Sequence, residues 1–383
     1  MLLESSGALG DSVLDGQGAM DVITWIVLLT LFAYLNREFE IWRMISEIET
    51  YIAAFRSIRD KALRCAINSF KEIAVKKEKK IDVKKIEARI RNLVDTSFIT
   101  PTDLDPYGII DKLKHLVKVM DRAVENEVKM LIPFASKVEV ENLKDLIGAV
   151  HAINEIYKIV DHIYRIGRKF KSLWILMQLS ALLPFITESM KAYESSLEAF
   201  ANGYPVGDSV GPIVAAKFAR KHGNGAEIKE VADDTIMIEV PFKDRKVIVI
   251  KAKGPAGVTG SLDDAVEYAL SVYKNACMVI TVDAAHKLES EESGSISDGF
   301  GVAIGGLGIE KFNIEKLAAN AKVPLYAILI KMSEEEALSV INKKLFEATD
   351  KALANVERVI EERSKPGDVI ILVGVGNTIG VYP

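Results

Sequence analysis

The stretch that decides the fold is residues 278–288, MVITVDAAHKL. An apolar run rich in β-branched residues ends at Asp283, and small residues and a polar turn follow it. This pattern is typical of a parallel strand that is buried on both faces of a sheet. Open α/β sheets bind their ligands at the carboxyl ends of such strands, so the pattern predicts a functional carboxylate at position 283.

Around this strand, residues 203–383 alternate between strand-like and helical segments. The alternation predicts an α/β domain of three layers, in which helices cover both faces of a largely parallel sheet. The first three strands follow one another closely, which predicts an antiparallel part at one edge. We expect strands at 227–231, 235–242, 246–252, 278–283, 324–330 and 368–375, and helices at 212–222, 262–273, 314–321 and 334–363.

The N-terminal half differs in its composition and in the spacing of its apolar residues. Residues 1–21 are rich in Gly, Ser and acidic residues and contain no Lys or Arg, so we expect a poorly ordered leader. Residues 22–36 contain a nearly continuous apolar run, VITWIVLLTLFAYL, and are predicted to form a transmembrane anchor. Residues 37–200 show apolar positions at three- and four-residue steps, which predicts a helical domain.

The anchor prediction has an alternative, because 14 helical residues span only about 21 Å and a bilayer core is about 30 Å thick. An amphipathic or buried first helix would fit the same run. As an anchor, the acidic leader and the basic residues after the run would place the C-terminal body in the cytoplasm of a single-pass cell-membrane protein. Residues 173–186, LWILMQLSALLPFI, form a second apolar run; a buried or subunit-facing helix is favoured there over a second span.

Composition excludes several classes of function. The net charge of −5 gives no nucleic-acid signature, so no nucleic-acid partner is expected. Two distant cysteines exclude a disulfide framework, and five scattered histidines form no metal-spaced pair. We expect no cofactor, a peptide or protein substrate, contact with membrane lipid through residues 22–35, and a homo-oligomer.

Four loops carry the candidate chemistry, and a doubly wound sheet would bring loops that follow parallel strands to one edge. Asp208 opens a helix in GDSVGP, and Asp283 ends the central strand. Two adjacent carboxyls can share one proton, so that one acts as general base on water and the other as general acid. The two other loops are glycine-rich, GPAGVTG at 254–260 and GSISDGFGVAIGGLG at 294–308, and neither fits a nucleotide-binding motif.

Two other interpretations of these loops stay open. The aspartates could hold a divalent cation with Asp298, Glu289 or His286 as a third ligand. Alternatively, Asp208 is only a helix cap and Asp283 only accepts hydrogen bonds from backbone amides at a strand end.

The same loops resemble the spore germination protease family and, more distantly, the hydrogenase maturation proteases. The resemblance covers about residues 205–332. It lies in Asp-x-x-Gly-Pro at 208–212, in part of Pro-Gly-x-x-x-x-Thr-Gly at 254–260, and in the run from Val282-Asp283-Ala284 to Ile296-Ser297-Asp298-Gly299. The whole chain more nearly resembles an uncharacterised archaeal membrane-protein family that carries this domain.

The resemblance implies a phosphorylase/hydrolase-like fold and an atypical aspartic endopeptidase in which Asp208 and Asp283 are catalytic. It implies a surrounding set of substrate-binding residues: Gly211, Pro212, Gly257, Thr259, Gly260, Asp298 and Asn377. The family's first strand and its Gly-x-Gly-Asn loop match residues 369–377 at the end of this chain, which implies a circular permutation. We therefore expect a membrane-anchored hydrolase whose 294–308 loop acts as a flap; the alternative is a non-enzymatic scaffold that binds a peptide, anion or metal at the same loops.

Overall fold

The computed structural model describes residues 16–96, 108–301 and 308–383. The chain is mixed α/β, with a helical N-terminal region followed by a seven-stranded sheet. The helices are α1 Gly16–Lys76, α2 Val83–Asp95, α3 Ile109–Leu131, α4 Lys137–Lys169, α5 Leu173–Asn202, α6 Val210–His222, α7 Leu262–Val272, α8 Ile309–Ala321, α9 Glu334–Leu338 and α10 Lys343–Arg363. The strands are β1 Ile228–Ala232, β2 Thr235–Phe242, β3 Arg245–Ala252, β4 Ala276–His286, β5 Ile296–Phe300, β6 Leu325–Met332 and β7 Val369–Gly374.

Two compact units make up the chain. One comprises the residues up to Ala53 together with Ile159–Pro184, and the other comprises Ala54–Lys158 and Phe185–Pro383. The second unit therefore contains part of the helical region as well as the whole sheet. Within it, α3 and the first part of α4 belong to the same compact body as the α/β domain.

The sheet has the strand order β1-β2-β3-β7-β4-β6-β5. The four central strands, β3, β7, β4 and β6, are parallel to one another. β1 and β2 form the predicted antiparallel edge, and β5 adds an antiparallel strand at the other edge. The last strand of the chain, β7, thus lies at the centre of the sheet, between β3 and β4.

Helices cover both faces of this sheet. On one face α6 and α10 pack on the alternate side chains of the strands, through residues such as Val214, Phe218 and Val356. On the other face α7 and α8 pack on the remaining side chains, through residues such as Val266 and Ile314. The central strands are buried on both sides, which is why residues 278–283 read as a continuous apolar run.

Two local predictions were wrong. Residues 334–363 form two helices rather than one, because Val340 pairs with Val206 and the Ile341 N–H donates to the Pro205 carbonyl. Residues 296–300 form β5 rather than part of a loop, because their backbone pairs with β6. The rest of that predicted loop, 302–307, lies outside the described residues, so the flap prediction is not addressed there.

The first unit contains the apolar part of α1. The large apolar side chains between Val22 and Leu35 are exposed, whereas Ile41 and Ile48 further along α1 are buried. Within the described residues, two helices are long and apolar enough to cross a membrane, in Val22–Lys76 and in Leu173–Asn202. This composition is compatible with membrane association. Most of the predicted leader, residues 1–15, lies outside the described part of the chain, and Gly16 already begins α1.

Candidate active site

Strands β3 and β7 end at nearly the same level of the sheet, whereas β4 and β6 continue past it, and this sets the position of the candidate site. Lys251 of β3 and Val282 of β4 both pair with Gly374 of β7. The residues that follow these three positions therefore begin side by side at the carboxyl ends of β3 and β7, where open α/β sheets bind ligands. Asp283 is the next residue after Val282, and the segment 375–377 continues β7 beside it.

Glycines allow the Asp208 turn to approach these strand ends. Asp208 lies in a short 3-10 turn, Gly207–Ser209, that leads directly into α6. A Cβ atom on Gly211 would come within 2.2 Å of the Val375 carbonyl oxygen and 2.3 Å of that of Val282. A Cβ on Gly376 would come within 2.0 Å of the Asp208 carbonyl oxygen, so this contact also requires glycine.

Asp208 and Asp283 line the same cleft, whose volume is about 540 Å³. Asp283 is buried and Asp208 is half-buried. Other residues of the wall come from the ends of β4 and β6, from the start of α8 and from the segment after β7: His286, Met332, Lys311, Glu310, Val375 and Gly376. The structure thus brings the two predicted aspartates into one cleft at the carboxyl edge of the sheet.

Lys311 distinguishes the two aspartates. Its ammonium group lies 2.6 Å from Oδ2 of Asp283. The pKa of Asp283 is raised to about 6, chiefly by burial. The Lys311 charge opposes this rise, and the Asp208 charge adds to it. Burial also raises the pKa of Asp208, while the hydrogen bond from the Asn377 N–H and the more distant Lys311 charge oppose that rise. Proximity to the cation favours the ionised form at Asp283.

Asn377 joins Asp208 to a carboxylate from the helical region. Its backbone N–H donates to Oδ2 of Asp208 at 2.9 Å, and its side-chain Nδ2 donates to Oδ2 of Asp145 at 2.9 Å. Its Oδ1 accepts from the Ile379 N–H at 2.8 Å, which fixes the side chain. Asp145 lies on α4, and burial raises its pKa to about 7. The loop that holds Asp208 is therefore tied to α4.

A second cleft of about 680 Å³ adjoins the first, and Val117, Thr259 and Glu310 line both. Burial and the neighbouring Asp263 charge raise the pKa of Glu310 to about 7. Asp145, Asn377, Gly257 and Gly260 line only the second cleft. Each cleft is thus lined by carboxyls whose pKa is raised by burial, Asp283 and Glu310 in the first and Asp145 and Glu310 in the second, an arrangement common at functional sites.

The other predicted site residues differ in their placement. Gly211 and Pro212 are buried in the first turn of α6, and Gly211 serves the close backbone contact already described. The Gly257 N–H donates to Oδ1 of Asn142, and Gly260 has a left-handed φ of +70°. Asp298 is not brought to either cleft: on β5, it accepts from the Tyr326 hydroxyl at 2.5 Å and pairs with Arg358 at 3.2 Å.

Sequence reasoning missed Lys311, Glu310 and Asp145. Lys311 and Glu310 lie in the first turn of α8, directly after a glycine-rich segment. This position could have suggested that they line a site formed by the loops. Asp145 occupies an ordinary polar position of an amphipathic helix, and nothing in the sequence distinguishes it. Among the described residues, no group of three or more His, Cys, Asp or Glu side chains is arranged to hold a metal ion.

Comparison with known proteins gives a family. Residues 22–203 match the model described as "Protein of unknown function (DUF1512) N-terminal domain", and residues 206–382 match "Domain of unknown function (DUF1512) C-terminal". The chain belongs to the DUF1512 family. Asp208 and Asp283 lie in the C-terminal DUF1512 domain, whereas Asp145 belongs to the N-terminal one.

A curated protein is also similar to part of the chain: the RNA-directed DNA polymerase from mobile element jockey of Drosophila melanogaster. The identity is 25% over 199 residues, which is 43% of this chain and 21% of the polymerase. This chain thus spans about a fifth of the length of that relative.

Proposed function

We propose that this DUF1512 protein is a membrane-anchored hydrolase with a peptidase-like aspartic site. The observation that carries the proposal is that Asp208 and Asp283, distant in sequence, line one cleft at the carboxyl edge of the sheet. The ion pair of Asp283 with Lys311 supports different protonation states for the two carboxyls. Such a pair can activate water without a cofactor.

The proposed reaction gives each aspartate one role. Ionised Asp283 takes a proton from a water molecule, and the resulting hydroxide adds to the carbonyl carbon of an amide. Protonated Asp208 donates its proton to the carbonyl oxygen. The C–N bond then breaks, the amine leaves with the proton held by Asp283, and one hydroxyl proton of the diol returns to Asp208. Both carboxyls end as they began.

We also propose a fold relationship and a cellular location for this protein. The central position of β7 and the contact of Asn377 with Asp208 support a circularly permuted relative of the germination and maturation protease fold. The exposed apolar side chains of residues 22–35 support a single-pass anchor. Basic residues after this run, among them Arg37 and Arg43, support a cytoplasmic C-terminal body.

The test is peptide-bond cleavage by the full-length protein in detergent micelles, with dye-quenched casein and a mixed peptide library as substrates. Asp208→Asn and Asp283→Asn should each lower kcat/KM by about 10²–10⁴-fold, the range of general acid–base catalysis. Asp298→Asn is the matched control: it also removes a carboxylate at the sheet, but away from the cleft, and should leave kcat/KM within about twofold of wild type.

Cleavage that persists in both Asp208→Asn and Asp283→Asn would show that another site is responsible. Wild-type protein that cleaves neither substrate, while a library peptide binds and Asp208→Ala abolishes that binding, would replace the hydrolase with the non-enzymatic binding scaffold.

A further inference from the structure

The turn between α4 and α5, residues 165–174, is compact and well fixed. The Ser172 N–H donates to the Gly167 carbonyl at 3.0 Å, and Lys171 adopts a left-handed φ of +46°. A Cβ on Gly167 would come within 2.8 Å of Cδ2 of Leu176, so the two helices approach closely here. The side chains on the outer surface of the turn are therefore held on a rigid support.

This turn exposes aromatic and basic side chains together. Phe170 is 67% exposed and Trp174 is 66% exposed, although both are large apolar residues. Residues 165–172, RIGRKFKS, contain four basic residues and no acidic one. Arg165 pairs with Asp161 and Arg168 with Glu49, and both arginine side chains remain largely exposed.

The turn lies beside the end of the apolar run of α1. The Lys171 ammonium is 3.0 Å from Oε2 of Glu38, and both residues belong to the same compact unit. Glu38 follows Leu35 by three residues, which is about 4.5 Å along a helix. Phe39 and Trp42 of α1 are also exposed, with ring centroids 6.2 Å apart.

We propose that the α4–α5 turn is a second membrane contact, in which Phe170 and Trp174 insert at the bilayer interface and the basic residues bind anionic headgroups. The proposal rests on the membrane anchor proposed above. Aromatic residues concentrate at the membrane–water interface, and clustered Lys and Arg bind anionic lipid. The Lys171–Glu38 ion pair puts this surface at the depth at which the apolar run ends.

The charge of the turn favours lipid over a second copy of the chain. A twofold interface brings the same patch of both subunits together, so a dimer through this surface would set the excess positive charge of the turn, that of Lys169 beside three ion pairs, against itself. An anionic bilayer surface complements the cluster instead. Exposed ion pairs such as Arg168–Glu49 contribute little to stability, so they can exchange partners with headgroups at small cost.

The chain contains three tryptophans, at 25, 42 and 174, which allows a direct test. The full-length variant W25F/W42F retains only Trp174 and is reconstituted into liposomes of phosphatidylcholine and phosphatidylglycerol. Phospholipids brominated near the top of the acyl chain should quench Trp174 fluorescence at least about twofold. In W25F/W42F/W174F/F346W the reporter sits on α10, where Phe346 is exposed, and should not be quenched.

A third variant, W42F/W174F, retains Trp25 and reports on the anchor itself. Quenching of Trp25 without quenching of Trp174 would overturn the second contact and leave the anchor intact, and it is also the result expected if another copy covers the turn. Absence of quenching at both positions would overturn the anchor and the second contact together.

Charge-reversal variants test whether the basic residues of the turn bind anionic headgroups. Lys169→Glu in the Trp174 reporter should reduce quenching by about half or more in anionic liposomes and leave it unchanged in pure phosphatidylcholine. Lys343→Glu, at a fully exposed position of α10, is the matched control and should change neither. Equal quenching in both liposome types, insensitive to Lys169→Glu, would overturn headgroup binding.

Discussion

The pair of Asp283 with Lys311 is the residue-level feature on which the candidate site depends most. The carboxylate is buried and its partner ammonium is 2.6 Å away, with only 19% of the Lys311 side chain exposed. Removing one member of a buried pair leaves an uncompensated charge, which usually costs more than the pair itself contributes. Lys311 should therefore control both the stability and the protonation of the site.

We predict that Lys311→Met destabilises the protein more at pH 8 than at pH 5. The pKa of Asp283 in the folded protein is about 6, above the ordinary value of 3.8, so the folded state binds the Asp283 proton more tightly than the unfolded state does. The free energy of unfolding therefore falls as pH rises from about 4 to 6. Without Lys311 the pKa rises further, and the loss extends to higher pH. We expect a loss of about 3 kcal/mol in the free energy of unfolding at pH 8, and clearly less at pH 5.

Chemical denaturation of the full-length protein in detergent at both pH values measures this difference. Lys316→Met is the matched control, because Lys316 lies on the same helix and is exposed. Equal losses for Lys311→Met at pH 5 and pH 8 would mean that Lys311 acts through packing and not through the charge of Asp283.

The residues of the site could be predicted from the sequence only in part. Asp283 and Asp208 could be singled out from local patterns, an apolar strand in one case and a helix opening in the other, although β4 continues past the predicted strand end at Asp283 to His286. Lys311 and Asp145 could not, because their roles depend on contacts between distant segments that no local pattern records. Asp298 had the spacing expected from the resemblance, but its strand pairs at the far edge of the sheet.

At the scale of elements, the break between α9 and α10 shows how tertiary contacts override local preference. Residues 334–363 contain no proline or glycine and have good helical periodicity. However, the Ser339 carbonyl oxygen accepts a hydrogen bond from the Gly207 N–H, and the Ile341 N–H donates to the Pro205 carbonyl oxygen. The chain leaves the helix to make these bonds beside the Asp208 turn, and Asn342 begins the next helix as its cap.

We predict that Asn342→Ala lowers the free energy of unfolding by about 1 kcal/mol, the usual value of a helix N-cap. The Asn342 side chain accepts from the Leu345 N–H at 2.8 Å, and alanine leaves that donor without its partner. Asn342→Ser retains a capping oxygen and should stay within about 0.5 kcal/mol of wild type. A serine variant as unstable as the alanine one, in denaturant unfolding, would mean that the bond from Asn342 to Glu336 matters more than the cap.

The strands were predicted better than the connections between them. The six predicted strands correspond to β1–β4, β6 and β7, and all of these except the exposed β1 are largely buried and carry apolar runs. β5 was not predicted because its sequence, ISDGF, is largely polar and contains glycine. The strand forms because its backbone pairs with that of β6, which no local pattern in ISDGF indicates. Phe300 is held there by its edge-to-face contact with Tyr326 and by the Arg363 guanidinium over its ring.

At the scale of the molecule, helical and α/β segments share one compact unit, and charged contacts join them. Lys114 of α3 lies 2.6 Å from Asp263 and 2.8 Å from Asp264, at the start of α7. Asp145 of α4 reaches Asn377 beyond β7. These contacts could not be predicted from sequence, since each joins residues more than 140 positions apart and Lys114 and Asp145 resemble ordinary surface charges. The N-terminal DUF1512 domain thus contributes Val117 to the wall of both clefts and Asp145 to the wall of the second.

We predict that the full-length protein stays in the membrane pellet after an alkaline carbonate wash and that Leu28→Arg with Leu29→Arg releases it. An arginine at the centre of a spanning helix costs about 2.5–3.5 kcal/mol, so two of them should outweigh the insertion of a largely apolar run of only 14 residues. V75R/M130R is the matched control, since both positions are exposed and apolar but lie outside the run. Release of the wild-type protein would contradict the anchor; retention of L28R/L29R would mean that another segment, such as the apolar helix Leu173–Asn202, holds the chain in the bilayer.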